Sequence, residues 1–90
     1  MKYQWNPDKA RANYKKHGIY FADALSVFSD DFAMTNKDDY YHEERFVTIG
    51  MDSFGKIIVV VFTWRDDDIR IISARKATQR ECNQYFGDKK

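Results

Sequence analysis

The residues in this 90-residue chain best suited to chemistry are the arginines of two neighbouring runs, Thr63-Trp64-Arg65 and Arg70-Ile71-Ile72-Ser73-Ala74-Arg75. A guanidinium is planar, stays charged at ordinary pH and grips a phosphate through two parallel hydrogen bonds. Thr63 and Thr48 would add hydroxyls if strand pairing brings them alongside. Arg65 and Arg70 flank Asp66-Asp67-Asp68, and the plainer alternative makes them solvated turn charges paired with those carboxylates.

The two histidines differ in setting. His17 precedes Gly18 at the expected end of a helix, where the dipole favours its protonated form. There it could donate a proton to a leaving oxygen, or simply cap the helix. His42 lies in Asp38-Asp39-Tyr40-Tyr41-His42-Glu43-Glu44, which has no recognised metal-ligand spacing and reads as an acidic loop. No metal and no cofactor is expected. The chain contains no nucleophile elbow, Gly-rich phosphate loop or zinc signature. Cys82 is the one cysteine, so an internal disulfide is excluded and a reducing cytoplasm is the simplest home. No apolar leader or membrane-length run is present.

The elements that must position these groups are well punctuated. Asn6 caps a first helix, Pro7 sits at its first position, Asp8 and Lys15-Lys16 complement its dipole, and Gly18 ends it. Ile19 should then pack back on Tyr14. Phe21, Ala24, Leu25 and Phe28 form one stripe, predicting a second short helix over about Phe21 to Phe28. Strands are expected at Phe32 to Asn36, Arg45 to Met51, Lys56 to Trp64 and Ile69 to Ala74. The run Ile57-Ile58-Val59-Val60-Val61-Phe62 is apolar on both faces and should be central. Thr78-Gln79-Arg80-Glu81 is a capping box opening a last helix with Cys82, Tyr85 and Phe86 on its apolar stripe. The fold class is α+β: an N-terminal helical hairpin packed on a three- to four-stranded antiparallel sheet, with a C-terminal helix, in one domain spanning residues 1–90.

Pairing Trp64 with Ile69 aligns Thr63 with Arg70, Val61 with Ile72 and Val59 with Ala74 on one face, and Phe62 with Ile71, Val60 with Ser73 and Ile58 with Arg75 on the other. Pairing Met51 with Lys56 adds Ile49 and Val47 to the second face, which the helical hairpin should cover. Thr48, Thr63, Arg65 and Arg70 then gather on the first face as a phosphate site, with Arg75 reaching around the edge. A one-residue slip in register would exchange the faces.

Net charge is only +1, from 15 Lys and Arg against 14 Asp and Glu, so overall charge does not mark a nucleic-acid binder. Basic residues nonetheless cluster at Lys9 to Lys16 and Arg65 to Arg80, and a nearly neutral chain can carry a basic face.

Trp5-Asn6-Pro7-Asp8-Lys9, Asn13 and Lys16-His17-Gly18 resemble the opening of BrnT proteins, and Phe21, Ala24 and Val27-Phe28-Ser29-Asp30 resemble their second helix. Glu43-Glu44-Arg45, Ile49-Gly50 and Gly55 continue the likeness. Val59 to Arg65, Arg70 to Arg75, Ala77-Thr78 and Glu81 complete it, over about Trp5 to Tyr85. The resemblance implies a RelE-like fold and the toxin of a bacterial type II toxin–antitoxin system, a metal-independent endoribonuclease that cleaves RNA and inhibits translation. Its implied partner is a BrnA-like ribbon-helix-helix antitoxin, which binds promoter DNA and within whose complex the toxin dimerises. In that reading Arg65, Arg70, Arg75 and His17 are catalytic, while Lys16, Arg45, Thr63, Arg80 and Tyr85 bind RNA. Glu44 would act as base or orient an arginine. Cys82, Asn83 and Asp66-Asp67-Asp68 depart from the pattern. The alternative is a catalytically weak or inactive toxin-fold subunit that binds its antitoxin and takes part in promoter autoregulation.

Overall fold

A computed structural model describes residues 2–38 and 44–87. The elements are β1 (Tyr3–Gln4), α1 (Pro7–His17), α2 (Phe21–Ala24) running into a 3-10 helix (Leu25–Ser29), β2 (Met34–Asp38), β3 (Arg45–Met51), β4 (Ile57–Arg65), β5 (Asp68–Lys76) and α3 (Gln79–Tyr85). The sheet order is β1-β5-β4-β3-β2, with every pair antiparallel except β1 and β5. The fold is therefore α+β as expected, but the sheet is mixed and five-stranded. The missed strand is β1, two residues long and too short to show alternation.

Local chemistry explains the boundaries. Asn6 Oδ1 accepts the backbone N–H groups of Asp8 and Lys9 at 2.8 and 3.3 Å. Gly18 takes the left-handed conformation, φ 71°, and its N–H closes on the Tyr14 carbonyl at 2.7 Å. Tyr14 then stacks on Tyr20 rather than on Ile19, whose side chain enters the core. The second helical segment is α-helical for only four residues and tightens into 3-10 geometry, which delivers Phe28 to the core.

The core lies between the helices and one side of the sheet. Phe21, Ala24 and Val27 pack on Ile58, Val60, Phe62, Ile71 and Ala74. Phe62 is the aromatic hub, edge-on to Phe28 at 5.1 Å and stacked with Phe46 at 5.6 Å. Gly50 is required at its position. A Cβ there would sit 3.1 and 3.2 Å from those of Val27 and Ala33.

Two register details differ from expectation and redistribute the side chains. The β3–β4 turn is one residue longer than assumed, so Met51 pairs with Ile57, Ile49 with Val59 and Val47 with Val61. Asp52 is the cause. It closes the turn through its backbone with Lys56, and its buried carboxylate accepts the N–H groups of Phe54 and Lys56 at 2.9 Å each. Thr48 consequently points to the helix side, opposite Val60, where it is buried and shares a 2.7 Å hydrogen bond with Thr35. Thr48 does not join the arginines, and Val47 and Ile49 belong to the opposite side from Phe62.

The second detail is a bulge. Phe62 pairs with Ile71 but Val61 pairs with Ser73, leaving Ile72 as an extra residue. Beyond it Ala74 faces the helices and Arg75 shares a side with Arg70, whereas the unbroken ladder placed Arg75 on the other face.

Asn13 extends the sheet beyond β1. Its side-chain amide donates to the Ala74 carbonyl at 2.9 Å and accepts the Ala74 N–H at 3.1 Å, as a strand residue would. The same amide donates to the Ile19 carbonyl at 3.1 Å. One buried side chain thus fixes α1, the α1–α2 loop and the free edge of β5.

Candidate functional site

Each functional side chain is placed by its strand and its parity. Gln4 pairs with Arg70, Arg70 with Thr63, and Asp38 with Arg45. The β3–β4 register continues from Phe46 opposite Phe62 to Arg45 opposite Thr63. Gln4, Arg70, Thr63, Arg45 and Asp38 therefore form one row across all five strands, on the side away from α1 and α2. Neighbouring strands are about 4.8 Å apart, so Arg45 and Arg70 flank Thr63 at a phosphate's reach. Arg65 stands two residues further along β4 on the same side, exposed at the strand end.

The partners of these groups define their state. The Arg70 guanidinium donates to Gln4 Oε1 at 3.3 Å, and Gln4 Nε2 donates to Asp68 at 3.5 Å. Asp68 also accepts the Lys2 N–H at 3.0 Å. Arg70 is thus oriented by a neutral amide and held by no carboxylate directly. Arg65 has no hydrogen bond or ion pair among the described residues. Asp66 takes φ 56°, a left-handed turn conformation that aspartate tolerates better than most residues. The Thr63 hydroxyl donates to the Glu44 carbonyl at 2.7 Å, and the Glu44 carboxylate pairs with Lys37 at 2.9 Å. Glu44 thus meets the row through its backbone carbonyl, while its carboxylate is engaged by Lys37, which pairs with Phe46 on the helix side of the sheet.

Arg75 shares the row's side of the sheet but stands opposite Val59, five residues along β5 from Arg70. That is about 16 Å at strand rise. Its guanidinium is occupied by both oxygens of Glu81, at 2.8 and 2.9 Å, and by the Lys76 carbonyl at 3.2 Å. These bonds, led by the Arg75 contact and supplemented by the Thr78 N–H, outweigh burial and hold the Glu81 carboxyl down at about 2. The pair brings α3 over this end of the sheet, where it packs on β3 and where Val59 and Ile49 are buried.

His17 is not brought to the row. α1 begins three residues after Gln4, runs along β5, meets Ala74 through Asn13, and reaches His17 one turn later. His17 and the exposed Lys16 accordingly stand at the Arg75 end, in the helical layer. Arg80 is exposed on α3. Tyr85 is anchored rather than free. Its hydroxyl donates to Asp30 at 2.6 Å, and that bond, with burial, pushes the phenol up to about 12. Burial alone would raise the Asp30 carboxyl, but the Met51 N–H, the Tyr85 hydroxyl and the Phe32 N–H together hold it below its ordinary value.

His42 and Glu43, weighed above as metal ligands, lie outside the described residues. Among the described residues no three His, Cys, Asp or Glu side chains converge as a metal site, and no helix is long and apolar enough to cross a membrane. Gln4, as the second ligand of Arg70, and Glu81, as the partner of Arg75, were not singled out for those roles. The first sits on the unseen β1, and the second was already accounted for by its capping box.

Fold and site define a small α+β domain with a guanidinium row on one exposed part of its sheet. The family described as ribonuclease toxin, BrnT, of type II toxin–antitoxin system matches residues 5–81, and the chain belongs to that family. The crystal structure of the Brucella abortus ribonuclease toxin BrnT is similar, with a TM-score of 0.66 and 29% sequence identity over 88% of this chain and 99% of that one. A comparison with curated proteins gives no match.

Proposed function

We propose that the chain is a cytoplasmic endoribonuclease that cuts RNA without a metal and so inhibits translation, held in check by a BrnA-like ribbon-helix-helix antitoxin. The observation that carries this reading is the row Arg45, Thr63 and Arg70, with Arg65 at its rim, on the side of the sheet away from α1 and α2. In the reaction the ribose 2′-oxygen forms a bond to the adjacent phosphorus as the bond to the 5′-oxygen breaks. The arginines bear the charge that grows on the equatorial oxygens, a preorganised effect worth about 2.7–4 kcal/mol per well-placed donor. The 2′-hydroxyl proton passes to water or to the Glu44 carboxylate once Lys37 releases it, and the 5′-oxygen takes one from water or an acid. His17 stands at the Arg75 end, so its variant decides whether it serves as that acid. Lys16 and Arg80 extend the phosphate track, and the Tyr85 ring offers a stacking surface. The antitoxin would carry the complex to promoter DNA, with two toxins per complex.

A gel assay of purified protein on bulk RNA, with and without EDTA, tests this. Cleavage should survive EDTA and fall about a hundredfold in Arg70→Ala and Arg65→Ala, the scale expected for removing a transition-state donor. The binding-subunit reading is favoured by one observation, the capture of Arg75 by Glu81. It predicts intact RNA at large protein excess.

A further inference from the structure

A concavity lies on the other side of the molecule from the arginine row, where α1 meets α2. It encloses about 440 Å³ and is mostly apolar, between Trp5, Tyr14, Tyr20 and the core residue Phe21. Tyr14 and Tyr20 stand 42% and 54% exposed. Large rings left in water beside a cavity mark a surface that another molecule covers. Trp, Tyr and Arg are also the residue types that dominate protein–protein binding energy.

Charge narrows the occupant. Arg11 lines the α1 wall and Asp23 the α2 wall, and Lys15, one turn beyond Arg11 along α1, adds a positive charge on the α1 flank. Over its length α1 carries Lys9, Arg11, Lys15 and Lys16 against Asp8 alone. Asp8 pairs with Arg11, which leaves Lys15 exposed with no partner among the described residues. The rings do not make a base-stacking platform. Tyr14 and Tyr20 are stacked on each other with centroids 4.0 Å apart, and Trp5 meets Phe21 edge-on at 6.0 Å. The groove thus receives a bulky apolar knob better than a flat base.

We propose that this groove seats an amphipathic helix of the protein antitoxin, with one large apolar side chain in the groove and an acidic residue against Lys15. Membership of a type II toxin–antitoxin family supplies the partner. The proposal rests on that membership and not on RNA cleavage. Arg70 and Thr63 point away from the helical layer, so anchoring at the groove leaves the arginine row uncovered. Grip and inhibition are then separate events, and the antitoxin must reach around the sheet to block the row.

The test is calorimetric titration of the full-length toxin with the antitoxin from the same operon, without RNA. Ala22 lines the groove and is itself exposed, so Ala22→Arg fills the groove without disturbing the core. Ala22→Arg and Tyr20→Ala should each weaken binding at least about tenfold, as loss of an interface anchor does. Lys15→Glu should also weaken it, most at low salt. Ala12→Arg, exposed on α1 and outside the groove, should leave it unchanged. Parallel anisotropy with a single-stranded oligoribonucleotide should show no loss in the groove variants. Unchanged antitoxin affinity in Ala22→Arg overturns the proposal. So does loss of RNA affinity with antitoxin binding intact, or a toxin dimer that Ala22→Arg splits. Failure of the RNA gel assay leaves these readings unaffected.

Discussion

Both oxygens of Glu81 close on the Arg75 guanidinium, and one of them also accepts the Thr78 N–H at 2.8 Å. One carboxylate therefore caps α3 and neutralises a sheet arginine. Its folded-state value, about 2, lies below that of a free glutamate. A lowered carboxylate contributes stability above its unfolded value, lost as pH falls towards the folded one. Water reaches Arg75, whose side chain is 40% exposed, and screens the pair. The contribution is about 1–2 kcal/mol. Glu81→Gln should be less stable by that amount at pH 7, and the gap should close between about pH 5 and pH 2. Urea midpoints measured across that range check it.

The same contact withholds Arg75 from RNA. Each phosphate neutralised on a single strand contributes about −0.7 to the slope of log affinity against log salt. Arg70→Ala should reduce the magnitude of that slope by about 0.7, while Arg75→Ala leaves it nearly unchanged. Glu81→Gln should increase it by about 0.7, because the freed guanidinium now meets a phosphate. Anisotropy with an oligoribonucleotide across a salt series gives all three values.

Asn13 concentrates three buried hydrogen bonds in one amide. Asn13→Ala should destabilise the chain by about 3 kcal/mol, since the Ala74 groups and the Ile19 carbonyl lose their partners inside the protein. Asn13→Asp should be worse, because a carboxylate cannot donate to two carbonyls. Thermal and urea unfolding measure both.

Tyr85 joins α3 to the loop before β2 through Asp30. Tyr85→Phe should lower stability by about 1–2 kcal/mol at pH 7. A raised phenol contributes stability below its unfolded value, near 10, that is lost as pH rises towards about 12. The wild-type advantage over Tyr85→Phe should thus fade across that alkaline range. Because the ring remains, RNA affinity should hold if Tyr85 acts by stacking.

The sequence disclosed what is local. Asn6, Pro7 and Gly18 bound α1, and the Thr78–Glu81 box opens α3, because capping is written within four residues. Ile57 to Phe62 announces its buried strand through composition. What escaped was set at a distance. Nothing in Asp52-Ser53-Phe54-Gly55 says that the Asp52 carboxylate will lengthen the turn by one residue, yet that length decides whether Thr48 or Ile49 faces the helices. The site was legible as residue types, Thr63, Arg65 and Arg70, whose cross-strand order followed from the short β4–β5 turn. Arg45 beside Thr63, and His17 away from both, depended on long-range pairing.

The unpaired Ile72 gives β5 a property that no single side chain supplies. Positions separated by an odd number of steps face opposite ways in an uninterrupted strand, and Arg70 and Arg75 are five apart. Excising Ile72 would leave Arg70 and Arg75 four steps apart and every partner across β4 in place. Pairing Ile72 into an unbroken ladder would instead turn everything downstream by half a revolution, sending a guanidinium into the aliphatic interior and a methyl group into water. The polarity of that end of the molecule is governed by counting, through one residue whose own identity hardly matters.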